Sequence, residues 1–71
     1  MEFELRGEYI ALCDLLKIVG SADSGGQGKA MVADGLVTVD GEVEYRKTAK
    51  IRVGKLIECM GQVIKTVAPT S

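Results

Sequence analysis

The run Ser24-Gly25-Gly26-Gln27-Gly28-Lys29 is where residue types first suggest a bound anion. Glycine-rich turns ahead of a helix leave backbone N–H groups open to phosphate, and the helix start adds partial positive charge. A phosphate loop of the nucleotide-triphosphatase kind would need a glycine where Asp23 stands and a hydroxyl where Ala30 stands. The dinucleotide fingerprint fails as well, since its third glycine would fall on Met31. A simpler anion site survives, built from Ser24, Gly25, Gln27 and Lys29 and suited to a nucleic-acid backbone. Close packing of two helices explains Gly28 equally well.

A second candidate is the cluster Arg46, Lys47, Lys50, Arg52 and Lys55, with no acid between Glu44 and Glu58. Residues 1–44 hold nine acids and three bases, a net −6, whereas residues 45–71 hold six bases and one acid, a net +5. A solvated face is the ordinary origin of such a run. Neutralising phosphates is the alternative, and it gives nucleic-acid binding both affinity and salt dependence. The aromatic residues Phe3, Tyr9 and Tyr45 are too few for a stacking platform. Recognition would then rest on shape and backbone, as for structured RNA.

Other chemistries are poorly supplied. The chain has no histidine, the commonest general base and zinc ligand. Cys13 and Cys59 lie 46 positions apart in apolar surroundings, which reads as two reduced core thiols rather than a metal site or staple. No catalytic residue, metal or cofactor is expected. Seventy-one residues allow one small domain over 1–71, with no apolar run of membrane-spanning length and no export signal at the start. The expected location is the cytoplasm.

These residues need elements to position them. Glu2 to Leu5 alternates with period two, as a half-buried strand does. Leu12, Leu15, Leu16 and Val19 form one apolar stripe, predicting a helix over 9–19 that Gly20 stops. Ser24 is the predicted N-cap of a second helix over 25–34, closed by Gly35, with Gln27 at the capping-box position. Strands follow over 36–39 and 42–45 around Asp40-Gly41, a strong type I′ hairpin signal. Residues 46–50 form a basic connection, then one strand pattern runs over 50–53 and on over 56–60 across Gly54-Lys55, and a last strand over 63–67 precedes a short tail from Pro69. The fold class is α+β, two helices packed on a small sheet in the order β-α-α-β-β-β-β. Leu12, Leu16, Val19, Met31, Val32, Val37 and Val39 are the expected core. Alternation sends Lys50 and Arg52 outward and Ile51 and Val53 inward.

This order and punctuation resemble the S4 RNA-binding domain. That family shows a helix ending in Lys-x-x-Gly, a Ser after three further residues, a second helix ending in Gly, a Val-x-Val-Asn-Gly hairpin and a later Val-Lys-x-Gly-Asp. The matches here are Leu12, Leu15, Leu16, Lys17, Gly20, Ser24, Lys29, Met31, Val32 and Gly35, then Val37, Val39, Asp40, Gly41, Ile51, Arg52, Gly54 and Ile57. They span Leu12 to Cys59, the motif core. The Ser24-Gly25 pair, Gln27, the Val37-to-Gly41 hairpin, Glu44-x-Arg46-Lys47 and Lys50 are most similar to small stand-alone bacterial members of the family. The resemblance implies an S4-like α-L fold and RNA binding through helix two and the basic hairpin region.

Departures shift the expected footprint. Many members open helix one with Arg-Leu-Asp, where this chain has Ala11, Leu12 and Cys13. The usual arginine after the capping serine is Gly25, and the acid after Gly54 is Lys55. Basic charge moves accordingly from helix two toward Arg46–Lys55.

The expected function is therefore non-catalytic binding of ribosomal or structured small RNA by a monomer, away from membranes. A ribonucleoprotein or a separate RNA-modifying enzyme would be its setting. The RNA-binding residues are Ser24, Gly25, Gln27, Lys29, Arg46, Lys47, Lys50, Arg52 and Lys55. A protein-interaction adaptor, using the acidic first half against a basic partner, is the second reading. An enzyme is the third, and it would have to work through Asp, Glu, Lys or Cys alone.

Overall fold

The computed structural model describes residues 1–69, so the end of the tail expected after Pro69 lies outside the described residues. The elements, in chain order, are β1 (Glu2–Glu4), β2 (Ile10–Ala11), α1 (Leu12–Ile18), α2 (Gly25–Ala33), β3 (Val37–Val39), β4 (Glu42–Val43), β5 (Lys50–Ile51), β6 (Leu56–Cys59) and β7 (Gln62–Val67). Five strands form a mixed sheet in the order β1-β7-β6-β3-β4, while β2 and β5 pair apart as a small antiparallel ribbon.

Alternation decides which face of the sheet is covered. Ile57 and Cys59 on β6, and Ile64 and Thr66 on β7, are buried, while their neighbours Leu56, Glu58, Val63 and Lys65 face out. Ile57, Cys59 and Ile64 join Leu12, Leu15 and Leu16 of α1 and Met31 and Val32 of α2 in one apolar cluster. Burial of each such leucine contributes about 1.5–3 kcal/mol. Of the expected core, Leu12, Leu16, Met31, Val32 and Val37 are buried, whereas Val19 and Val39 pack at its margin half-exposed.

The first strand joins the sheet edge parallel to β7, pairing Glu2 with Lys65 and Glu4 with Val67. Two type I′-like corners turn the chain at Asp40-Gly41 and Met60-Gly61, with positive φ at all four residues. At the end of α2, the Gly35 and Leu36 N–H groups donate to the Val32 and Met31 carbonyls, a Schellman closure that needs the positive φ of Gly35.

Two sequence expectations change. Helix α1 begins at Leu12 rather than residue 9, because Ile10 and Ala11 pair with Ile51 and Lys50 as β2. The strand expected over 50–53 ends at Ile51, so Val53 is exposed instead of facing the core. Here Thr66 takes over. Its buried hydroxyl accepts from the Lys55 N–H at 2.9 Å and lies 2.7 Å from the Arg52 carbonyl oxygen, to which it donates, fixing residues 52–55 as a turn.

Candidate nucleic-acid interface

Helix α1 starts without a side-chain cap, since Ala11 cannot supply one. Its first two N–H groups, on Leu12 and Cys13, donate instead to the Ala49 and Lys47 carbonyls at 3.0 and 3.1 Å. The basic loop is thereby fastened to α1 by its backbone and by the buried Ala49, which leaves its charged side chains outside. Helix α2 crosses α1 at Gly28, where an added Cβ would stand 2.8 Å from the Cys13 carbonyl oxygen. The sequence raised this close approach as one explanation for Gly28, and the packing bears it out.

Loop and helix α2 thus meet around the backbone of one residue, Cys13. Between them opens a groove lined by Lys29 from α2 and by Tyr45, Arg46, Lys47, Thr48 and Lys50 from the loop. Four cations from segments about 20 residues apart in sequence converge there. Lys29, Lys47 and Lys50 are exposed and form no ion pair among the described residues. Arg46 folds back on Glu44 with Nε 3.1 Å from Oε1 and a second guanidinium nitrogen 3.4 Å from Oε2. The Arg46 side chain, with its backbone N–H, holds the Glu44 carboxyl below the usual range, and the carboxylate in turn raises the pKa of the Arg46 guanidinium. Three guanidinium N–H donors remain for a ligand.

The other site residues named from sequence lie apart from this groove. Arg52 reaches the Glu8 carbonyl at 3.4 Å and sits over the Tyr9 ring, 5.8 Å from its centroid. Lys50 sits over the same ring at 5.0 Å, so Tyr9 links groove and ribbon. Lys55 pairs with Asp40 at 3.2 Å. Of the five clustered bases, Arg46, Lys47 and Lys50 therefore meet Lys29 in the groove, Arg52 lies toward Tyr9 and Glu8, and Lys55 is drawn away because the turn at 52–55 aims it at the hairpin. Arg46 and Lys55 also carry acidic partners.

At the start of α2, the Ser24 hydroxyl accepts from the Gln27 N–H at 3.1 Å, as the capping position predicts. The Gln27 side chain turns back to the Asp23 N–H, one residue before the cap. Both are exposed, and both have acceptors engaged in shaping the helix start. Sequence alone sets Tyr9 and Tyr45 aside as too few for a stacking platform, yet both stand beside the basic residues. That Tyr45 directly precedes the basic loop is readable in the chain, whereas the place of Tyr9 depends on the pairing of its neighbour Ile10 with Ile51.

Comparison with known proteins fits this geometry. The S4 domain family profile matches residues 3–67, and the chain belongs to that family. It is 45% identical over 60 residues to YbcJ of Escherichia coli strain K12, covering 84% of this chain and 86% of that protein. Identity and coverage are the same for YbcJ of Shigella flexneri. The solution structure of E. coli YbcJ, described as revealing an α-L motif involved in RNA binding, superposes with a TM-score of 0.73 at 43% identity, covering 94% of this chain and 86% of that one. The fold is thus the α-L arrangement expected from the sequence. Ribosomal protein S4e of Thermoplasma acidophilum shares the fold at a TM-score of 0.61 and 24% identity, over 82% of this chain and 31% of its own.

Proposed function

We propose that this protein is a non-catalytic RNA-binding module that grips the backbone of structured or ribosomal RNA in the groove between α2 and the 46–50 loop. The observation that carries the reading is the meeting of Lys29 with Arg46, Lys47 and Lys50 in one groove of an S4-family chain. The RNA-binding description of E. coli YbcJ supports it. In this reading Ser24, Gly25 and Gln27 set the open helix start, Arg52 extends the surface through Tyr9, and Lys55 plays the smallest part because Asp40 already holds it.

The reading has the whole chain working as one module, a monomer in the cytoplasm within a ribonucleoprotein or beside an RNA-modifying enzyme. No helix among the described residues is long and apolar enough to cross a membrane. Asp40 and Glu44 are engaged with Lys55 and Arg46, so the adaptor reading would have to rest on the other acids of the first half.

Titrating the protein with fragments of ribosomal RNA across a salt series tests this. Three or four phosphate contacts give a log–log slope of about −2 to −3.6. Absence of RNA binding at low salt would remove the proposal and favour an adaptor.

A further inference from the structure

Tyr45 stands in the wall of the cationic groove with 65% of its surface exposed. Burial does not account for so large an apolar ring in that place. Its position is nonetheless fixed. A Cβ on Gly35 would lie 3.3 Å from both Cε1 and Oη of the ring, so the phenol end rests against the close of α2. The flanking Glu44 N–H donates to the Val37 carbonyl, and the Arg46 N–H donates to the Glu44 carboxylate.

The two tyrosines beside the basic loop differ in one respect. Tyr9 already carries Lys50 and Arg52 across its ring. Among the described residues no cation sits over Tyr45. The groove therefore holds a pre-positioned aromatic with surface to spare, ringed by Lys29, Arg46, Lys47 and Lys50.

We infer that Tyr45 stacks on an unpaired base, and that the RNA bound in this groove is a bulge, loop or junction rather than continuous duplex. The inference rests on the RNA-binding reading above and specifies its substrate class. In A-form duplex the base faces are hidden in the stack, and only phosphates, 2′-hydroxyls and base edges are offered. On that surface the tyrosine hydroxyl has partners but the ring face has no base to stack on. A splayed-out nucleotide presents its face to Tyr45 while its flanking phosphates meet the four cations. Stacking of this kind strengthens binding roughly 5- to 150-fold per base.

The test uses two synthetic two-strand RNAs of equal phosphate number, one a fully paired stem and one in which a two-nucleotide bulge replaces one base pair. Affinities are measured by fluorescence anisotropy at low salt for the unmodified protein, Tyr45→Phe and Tyr45→Leu. The unmodified protein is expected to prefer the bulged RNA at least 5-fold, Tyr45→Phe to keep that preference, and Tyr45→Leu to lose it by weakening on the bulged RNA more than on the paired stem. Equal affinity of the unmodified protein for both RNAs overturns the stacking proposal and leaves backbone binding standing, and it is read without any substitution. Equal weakening on both RNAs in Tyr45→Leu overturns it too. Binding to neither RNA overturns the RNA reading itself, and this inference with it.

Discussion

The backbone of Cys13 faces Gly28 so closely that a Cβ at residue 28 would sit 2.8 Å from the Cys13 carbonyl oxygen, while the Cys13 N–H is held by the Lys47 carbonyl at 3.1 Å. One residue thereby spaces both walls of the basic groove. Gly28→Ala sets a helix-propensity gain of about 1 kcal/mol against overpacking on rigid backbone, which costs about 1–3 kcal/mol. With backbone as the obstacle, the clash is expected to win. Thermal unfolding followed by circular dichroism should show a lowered midpoint, and RNA affinity should fall as Lys29 moves away from the loop. A raised midpoint would show that α2 shifts freely on α1.

Thr66→Val keeps the shape of a buried side chain and removes its hydroxyl. The Lys55 N–H loses its Thr66 acceptor and the Arg52 carbonyl loses a donor. Leaving such groups unsatisfied costs about 1–3 kcal/mol. Urea unfolding should show that loss, and exchange of the Lys55 amide should accelerate. Unchanged stability would mean that water replaces the hydroxyl without penalty.

These two positions show what was legible in the chain. Glycine spacing and apolar period revealed both helices, and Asp40-Gly41 revealed the hairpin, because each signal is local. The ribbon of β2 and β5 was not legible, since two residues form a strand only when a partner some 40 positions away is in place. Thr66 likewise looked like an ordinary strand residue, and its hold on the 52–55 turn is tertiary. Lys29 and the 46–50 loop were readable as charge, but their meeting depends on the Cys13 backbone, which no side-chain pattern encodes.

Asp40 accepts from the Leu56 N–H at 3.0 Å and pairs with Lys55, and these, the N–H first, hold its carboxyl below the ordinary carboxylate range. A folded-state value below the unfolded one adds stability that is fully present above the unfolded value and is lost as pH falls through the folded value. Glu44 behaves the same way through Arg46. Stability should therefore decline as pH drops below about 4, and Asp40→Asn, which keeps an acceptor for Leu56, should flatten part of that decline. Carboxyl-carbon titration by NMR checks it directly. An Asp40 midpoint at or above the ordinary value would contradict the geometry.

The salt dependence of RNA binding tests the assignment of the groove most directly. Arg46→Ala with Lys47→Ala removes two cations from one wall and should reduce the log–log slope by about 0.7–0.9 for each lost phosphate contact. Thermal stability should change little, since solvent screens the exposed Arg46 guanidinium and its pairing with Glu44 adds little to folding. A shallower slope with the fold intact is the expected result. An unchanged slope would contradict the placement of RNA in this groove.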